Sequence, residues 1–231
     1  PLLSGESEET SQLSREHAVA RPLPGLVSIA GGKYTTYRVM AADAIDATLP
    51  DLSRRPGKSV TDEVPLIGAD GYAALVNQAD RLAQEFGIPA WRVRHLLDRY
   101  GSLIREVLEP AVHDPSLLES VPGADTYIGA EIRYGATHEG ALHLDDLLAR
   151  RTRISIETAH RGTESAAAAA GLVADVLGWS PERVQAEVDV YLSRVQAERA
   201  SQDEPTDQAA DAARLVAPDT RKIGVGRALD D

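Results

Sequence analysis

Cysteine is absent from this chain of 231 residues. Disulfides, thiolate catalysis and cysteine-ligated metals are therefore excluded, and the compartment is read as a reducing cytosol. Positive charge is also short, with 24 Lys and Arg against 36 Asp and Glu and a formal net charge of −12. Nucleic acid, which needs a basic surface, is not an expected partner. No apolar run approaches the about 20 residues that cross a bilayer. The opening segment, Pro1 to Glu9, has no basic region of the kind that starts a signal peptide. The single Met is Met40. A chain that opens on Pro1 without an initiating Met reads as part of something longer. What is present is enough apolar residue, 43% of the chain, for one large or two small domains.

Periodicity and punctuation divide the chain. Residues 4–16 are polar and read as a loop, and Pro22 and Pro24 are expected to limit structure before a strand at Leu26–Ala30. A helix from about Thr36 carries Met40, Ala44, Ile45 and Leu49 at helical spacing and stops at Pro50. The hydrophilic connector Asp51–Glu63, with Arg54-Arg55-Pro56-Gly57-Lys58, is the best domain boundary.

Beyond it the pattern is helical: Tyr72–Phe86 up to Gly87, a second helix opened by Pro89 and stopped before Gly101, and a third over Leu103–Val112. Ala124–Thr137 is ambiguous between strand and helix, and its helical neighbours favour helix. Leu144–Thr152 is helical, with Asp145 and Asp146 in its first turn. Thr163 reads as the N-cap of an alanine-rich helix, Ala166 to Leu177, that ends at Gly178. Ser180-Pro181-Glu182 then starts another, with Val184, Val188, Tyr191, Leu192 and Val195 as its stripe. From about Ser201 periodicity fades, and the tail is expected to be disordered.

The motif richest in chemistry is Gly31-Gly32-Lys33-Tyr34-Thr35-Thr36-Tyr37-Arg38, set between strand and helix. Glycine lets a backbone approach a ligand, and the free N–H groups of a first helical turn attract negative charge. With Leu13-Ser14-Arg15-Glu16-His17 before it, and Glu139-Gly140-Ala141, Asp145-Asp146 and Arg150-Arg151-Thr152-Arg153 after it, this motif resembles the FAD-dependent glycerol-3-phosphate dehydrogenase family. Pro1-Leu2 is similar to the end of that family's Arg-Pro-Leu phrase. The resemblance covers nearly everything before the tail. The Gly-x-Gly-x-x-Gly turn that holds the FAD pyrophosphate occurs nowhere in the sequence.

The resemblance therefore implies a mainly α fold. Residues 58–200 would form a helical C-terminal domain, preceded by a strand-turn-helix remnant of an FAD-binding α/β domain at residues 1–57. It implies oxidation of glycerol 3-phosphate to dihydroxyacetone phosphate, with hydride passing to FAD and electrons to quinone. The chain alone would be inactive, and no catalytic residue is assigned to it. The implied setting is cytoplasmic or peripheral on the inner face of the membrane, with a homodimer as a candidate assembly. Alternatives are a glycerol-3-phosphate oxidase that uses oxygen, and a non-catalytic helical module for dimerisation or membrane docking.

Gly31, Gly32, Lys33, Thr35 and Thr36 are the implied cofactor-binding residues, and Arg15 and Lys33 the implied substrate-binding ones. A guanidinium fork suits phosphate oxygens. Arg15 could equally be a surface residue paired with an acid, Lys33 a solvated lysine, and Thr35 and Thr36 helix caps. Arg38 is expected in a structural ion pair. His17 is either an exposed strand-end residue or a proton acceptor near substrate. His138 and His143 lie five apart, which does not align them on one helical face, so no metal site is expected. Arg150, Arg151, Arg153 and Arg161 form the one dense basic patch, expected to pair with nearby acids or, alternatively, to meet lipid headgroups.

Overall fold

The computed structural model describes residues 17–53, 57–220 and 223. The chain divides into two compact units, residues 1–66 and 67–231. The sequence places its boundary somewhat earlier, in the connector.

The first unit is a hairpin and a helix. Strand β1, His17–Leu23, pairs antiparallel with β2, Leu26–Gly31, and helix α1 is Tyr37–Thr48. Thus Pro22 and Pro24 do not suppress structure, contrary to expectation. Pro24-Gly25 is the two-residue loop between Leu23 and Leu26, with Gly25 at φ +78°, which suits the proline-then-glycine order of a type II turn. Pro22 cannot donate to the ladder, and the register is irregular between Ala20 and Leu23, where it sits. Pro50 lies inside a short 3-10 turn, Leu49–Asp51, that closes α1.

The second unit is helical. It begins with α2, Tyr72–Val76, α3, Ala79–Phe86, and α4, Ala90–Tyr100. The single helix expected over Tyr72–Phe86 is thus broken at Asn77-Gln78. Helix α3 ends at Gly87 (φ +66°), and α4 is opened by the extended Pro89, both as read from sequence. Gly101 follows α4 at φ +56°, so close to the Gly68 carbonyl that any Cβ would collide with it. That approach lets the Ser102 N–H donate to the Gly68 carbonyl at 2.9 Å. A side chain larger than hydrogen would break the latch.

Helix α5, Ile104–Leu108, is flanked by 3-10 turns. Next, β3, Ser120–Val121, and β4, Ala124–Ile128, form a small hairpin around Pro122-Gly123, a second Pro-Gly loop with its glycine at positive φ. The helix expected across Ala124–Thr137 therefore starts only at α6, Gly129–Thr137. A π-helical turn, Asp146–Arg151, and α7, Ile154–Glu157, come next.

Thr163 is not an N-cap. Residues His160, Arg161 and Gly162 are all left-handed, and α8, Ala166–Val173, begins only after this turn, with Ser165 as its cap residue. Ser180 does cap α9, Pro181–Gln202, accepting from the Arg183 N–H at 3.3 Å. The tail is not featureless: α10, Asp207–Arg214, is capped by the Thr206 hydroxyl and packs on α9. Thr206 supplies an N-cap that composition alone obscured.

Two apolar cores organise this unit. One gathers Leu82, Val93, Leu96, Leu97, Ile104, Val107 and Leu108 from α3 to α5. The other gathers Leu144, Leu147, Leu148 and Ile154 with Ala166, Ala169 and Ala170 of α8 and Val188, Tyr191 and Val195 of α9. Helix α6 serves both, with Ala130 and Tyr134 in the first and Ile132 in the second. The alanine face of α8 is the close helix–helix surface its small side chains permit, packed on α6 and α9. Among the described residues, no helix is long and apolar enough to cross a membrane.

Candidate functional site

The candidate turn joins β2 to α1. Gly31 ends the strand at φ +81°, and Gly32 follows at φ +76°. A Cβ on Gly32 would overlap the Met40 side chain and lie 3.3 Å from the His17 Cβ. Gly32 is therefore favoured chiefly by its own dihedral angle, since the Met40 side-chain end could move aside for a Cβ. Lys33 is extended (φ −129°, ψ 157°), and Tyr34–Thr36 make a 3-10 turn that runs into α1.

Thr36 locks this turn. Its hydroxyl accepts from the Lys33 N–H at 3.2 Å and lies 3.0 Å from the Lys33 carbonyl, to which it can donate. The Thr36 N–H donates to that same carbonyl at 3.0 Å. Thr36 is thus a positioning residue. Lys33, Tyr34 and Thr35 are exposed, and Tyr34 stacks on Tyr37 with ring centroids 5.8 Å apart. N–H groups at the head of a helix have no intrahelical acceptor. The Lys33 and Thr36 N–H groups are already engaged within the turn; the remaining first-turn amides, with the Lys33 ammonium, make a donor set suited to an anionic or electron-rich ligand edge.

His17 is held by Asp43 of α1, with Nε2 2.7 Å from Oδ2, and its side chain is 17% exposed. It is a strand-to-helix tie rather than a free strand-end residue. Arg38 has no ion pair among the described residues, contrary to expectation. Arg15 lies outside the described residues.

The basic patch of the second unit is spent largely on internal pairing. Arg150 pairs with Asp145 and with Asp146, the latter at 3.1 Å. Arg151 Nε donates to the Glu139 carbonyl at 2.7 Å, Arg153 lies 3.7 Å from Glu157, and Arg161 pairs with Glu198. Pairing with nearby acids is the reading that holds.

His138 stacks on Tyr134, His143 Nδ1 lies 2.9 Å from Glu187 Oε1, and His160 contacts Arg199. Among the described residues, no group of three or more His, Asp or Glu could hold a metal ion.

One polar cluster had no signal in the sequence. Glu131 on α6 is fully buried and accepts from the Ile128 N–H at 3.0 Å. Its Oε1 is 3.0 Å from His95 Nε2 and 3.7 Å from Arg99 Nε. Arg99 also donates to the Tyr127 hydroxyl and to the Arg151 carbonyl, and Tyr127 donates to Glu157 at 2.6 Å. Burial and the Glu157 hydrogen bond push the Tyr127 phenol above its usual range. These links join α4, β4, α6 and the π-turn, and their partners lie too far apart in sequence for any local motif to announce them.

The family model for the C-terminal domain of alpha-glycerophosphate oxidase matches residues 59–184. That is more than half of the chain. The chain belongs to this family.

It is 57% identical over 221 residues to glycerol-3-phosphate dehydrogenase 2 of Mycobacterium tuberculosis, covering 96% of this chain and 38% of that protein. The glycerol-3-phosphate dehydrogenase of Mycobacterium leprae is 55% identical over the same coverage. A probable mitochondrial glycerol-3-phosphate dehydrogenase of Dictyostelium discoideum is 32% identical over 81% of this chain and 29% of its own length. The chain thus spans well under half the length of the curated relatives it matches. Coverage of 96% leaves too few residues outside the mycobacterial match to omit the turn at residues 31–38.

Proposed function

We propose that this chain is the C-terminal part of a flavoenzyme that oxidises sn-glycerol 3-phosphate to dihydroxyacetone phosphate and passes electrons to quinone. One observation carries the reading. The Gly31–Arg38 motif folds as strand, two positive-φ glycines and helix start, with Lys33 exposed, in a chain closely similar to glycerol-3-phosphate dehydrogenases. FAD, when bound, supplies the ring that accepts hydride at the substrate carbon. Residues 1–57 would complete the flavin and substrate region, and residues 58–200 would be the helical C-terminal domain. The enzyme would work in the cytoplasm or at the inner face of the membrane.

The chain's own residues then act by position and charge. Gly31 and Gly32 bring the backbone close to the ligand, Thr36 fixes the turn, and Thr35 presents an exposed hydroxyl. The first-turn amides and Lys33 concentrate positive charge where negative charge gathers on reduction, which favours the charged state without reorganisation. Arg15 would hold the phosphate of the substrate by its planar fork. By itself the chain, which has no Gly-x-Gly-x-x-Gly turn, would bind FAD poorly and turn over no substrate.

In the complete enzyme, Lys33→Met and Arg15→Met should each lower kcat/KM by at least about tenfold, the scale of one charge-assisted contact. Unchanged kinetics in both variants would refute the site. The oxidase description of the matching family supports a second reading, with oxygen as acceptor. Stoichiometric hydrogen peroxide during turnover would decide for it.

A further inference from the structure

A cleft of about 130 Å³ opens in the second unit, lined by Asp145, Arg150, Ser155, Arg161, Tyr191, Arg194 and others. Its volume holds about four waters. Two backbone irregularities meet at its wall. Arg150 sits on the π-helical turn Asp146–Arg151, and Arg161 is the middle residue of the left-handed run His160–Gly162. Left-handed residues other than glycine are strained, and π-turns recur at functional positions. The strained run is fastened by Tyr191, whose hydroxyl donates to the Arg161 carbonyl at 2.5 Å. The effect is to hold Arg161 at the cleft beside Arg194 of α9.

The charges form an alternating chain. Arg150 and Arg194 share one oxygen of Asp145, whose side chain is 8% exposed. Arg194 and Arg161 then share Glu198, one on each oxygen. Three guanidiniums thus face two carboxylates within the lining, and Asp146, outside it, pairs with Arg150 as well. Each guanidinium has five N–H donors. Among the described residues the three make five bonds to carboxylates, Asp146 included, which leaves N–H donors for a further acceptor. Forked donors converging on a small polar cleft suit one tetrahedral oxyanion.

We propose that this cleft is a phosphate-binding site, sized for a single phosphate group and held by Arg150, Arg161 and Arg194. It belongs to the second unit, and the proposal stands whether or not the flavin reading does.

The test is titration of the 231-residue chain with inorganic phosphate at constant ionic strength, observing arginine side-chain Nε–H resonances by NMR. Saturable shifts at Arg150, Arg161 and Arg194, absent at Arg105 and Arg133, are expected, with a Kd on the order of 1 mM. Arg161→Gln should raise that Kd by about tenfold, and Arg161→Lys should do so by less, because lysine keeps the charge but loses the fork. If a variant fails to fold by circular dichroism, the wild-type titration alone decides. Glycerol 3-phosphate and vesicles containing phosphatidic acid separate a soluble phosphate ester from a headgroup. The cleft should take the soluble ester. Shifts that follow ionic strength, spread over all arginines, or appear with vesicles alone would overturn the site.

Discussion

The two units solve the folding problem to different degrees. In the second, two cores bury leucines, isoleucines and tyrosines, many of the aliphatic ones completely. In the first, no described residue is buried, and Leu23, Leu26, Ile29, Tyr37, Val39 and Ile45 remain exposed. A lone two-stranded hairpin is marginal in water, and one helix laid on it adds little dry surface. The lesson is a division of labour. The second unit carries its own stability, whereas the first carries a shaped turn whose apolar surroundings are unfinished.

Perturbations should therefore have unequal effects, and the inequality is the way to break the comparison. Glu131→Ala should cost most, about 3–5 kcal/mol, because it takes the buried carboxylate away from the partly buried His95 and Arg99 and leaves the Ile128 N–H without its acceptor. Chemical denaturation of the chain checks this, and a loss below 1 kcal/mol would show the cluster to be peripheral. Leu96→Ala, at a fully buried position, should cost about 2–5 kcal/mol. Its counterpart Ile45→Ala, exposed on α1, should change stability by no more than about 0.5 kcal/mol. Similar losses for those two would erase the contrast. Between them, Ser180→Ala should cost about 1 kcal/mol through the lost cap of α9.

The smallest effect is a pH dependence. Burial holds the Glu139 carboxyl above its ordinary pKa of 4.5, chiefly by desolvation. The folded state therefore keeps this proton longer than the unfolded one. Stability should fall as pH rises from about 4.5 through the folded value. Glu139→Gln removes that segment of the profile, and denaturation midpoints of the two proteins across pH 4–7 should show the difference. Superimposable profiles would sink the assignment.

Local signals were legible wherever the physics is local. Ser180-Pro181-Glu182 needs only its own hydroxyl and ring to start α9, and Pro89 and Gly87 punctuate as expected. The Gly31–Arg38 turn was readable for the same reason. Pro122-Gly123 had the same signature as Pro24-Gly25, yet β3 is only two residues long, too short for an alternating pattern. The left-handed run at His160–Gly162 was invisible because its fastenings, Tyr191 and Glu198, lie on a helix far along the chain. Thr163 looked like a cap only because that run was unseen. The Glu131 cluster was hidden likewise, since His95 and Arg99 meet it only after α4 packs on α6.

Amide hydrogen exchange on the 231-residue chain tests the division of labour most directly. The account predicts exchange near unprotected rates across residues 17–51, and strong protection across α4, α6, α8 and α9. Equal, strong protection in both units would contradict it.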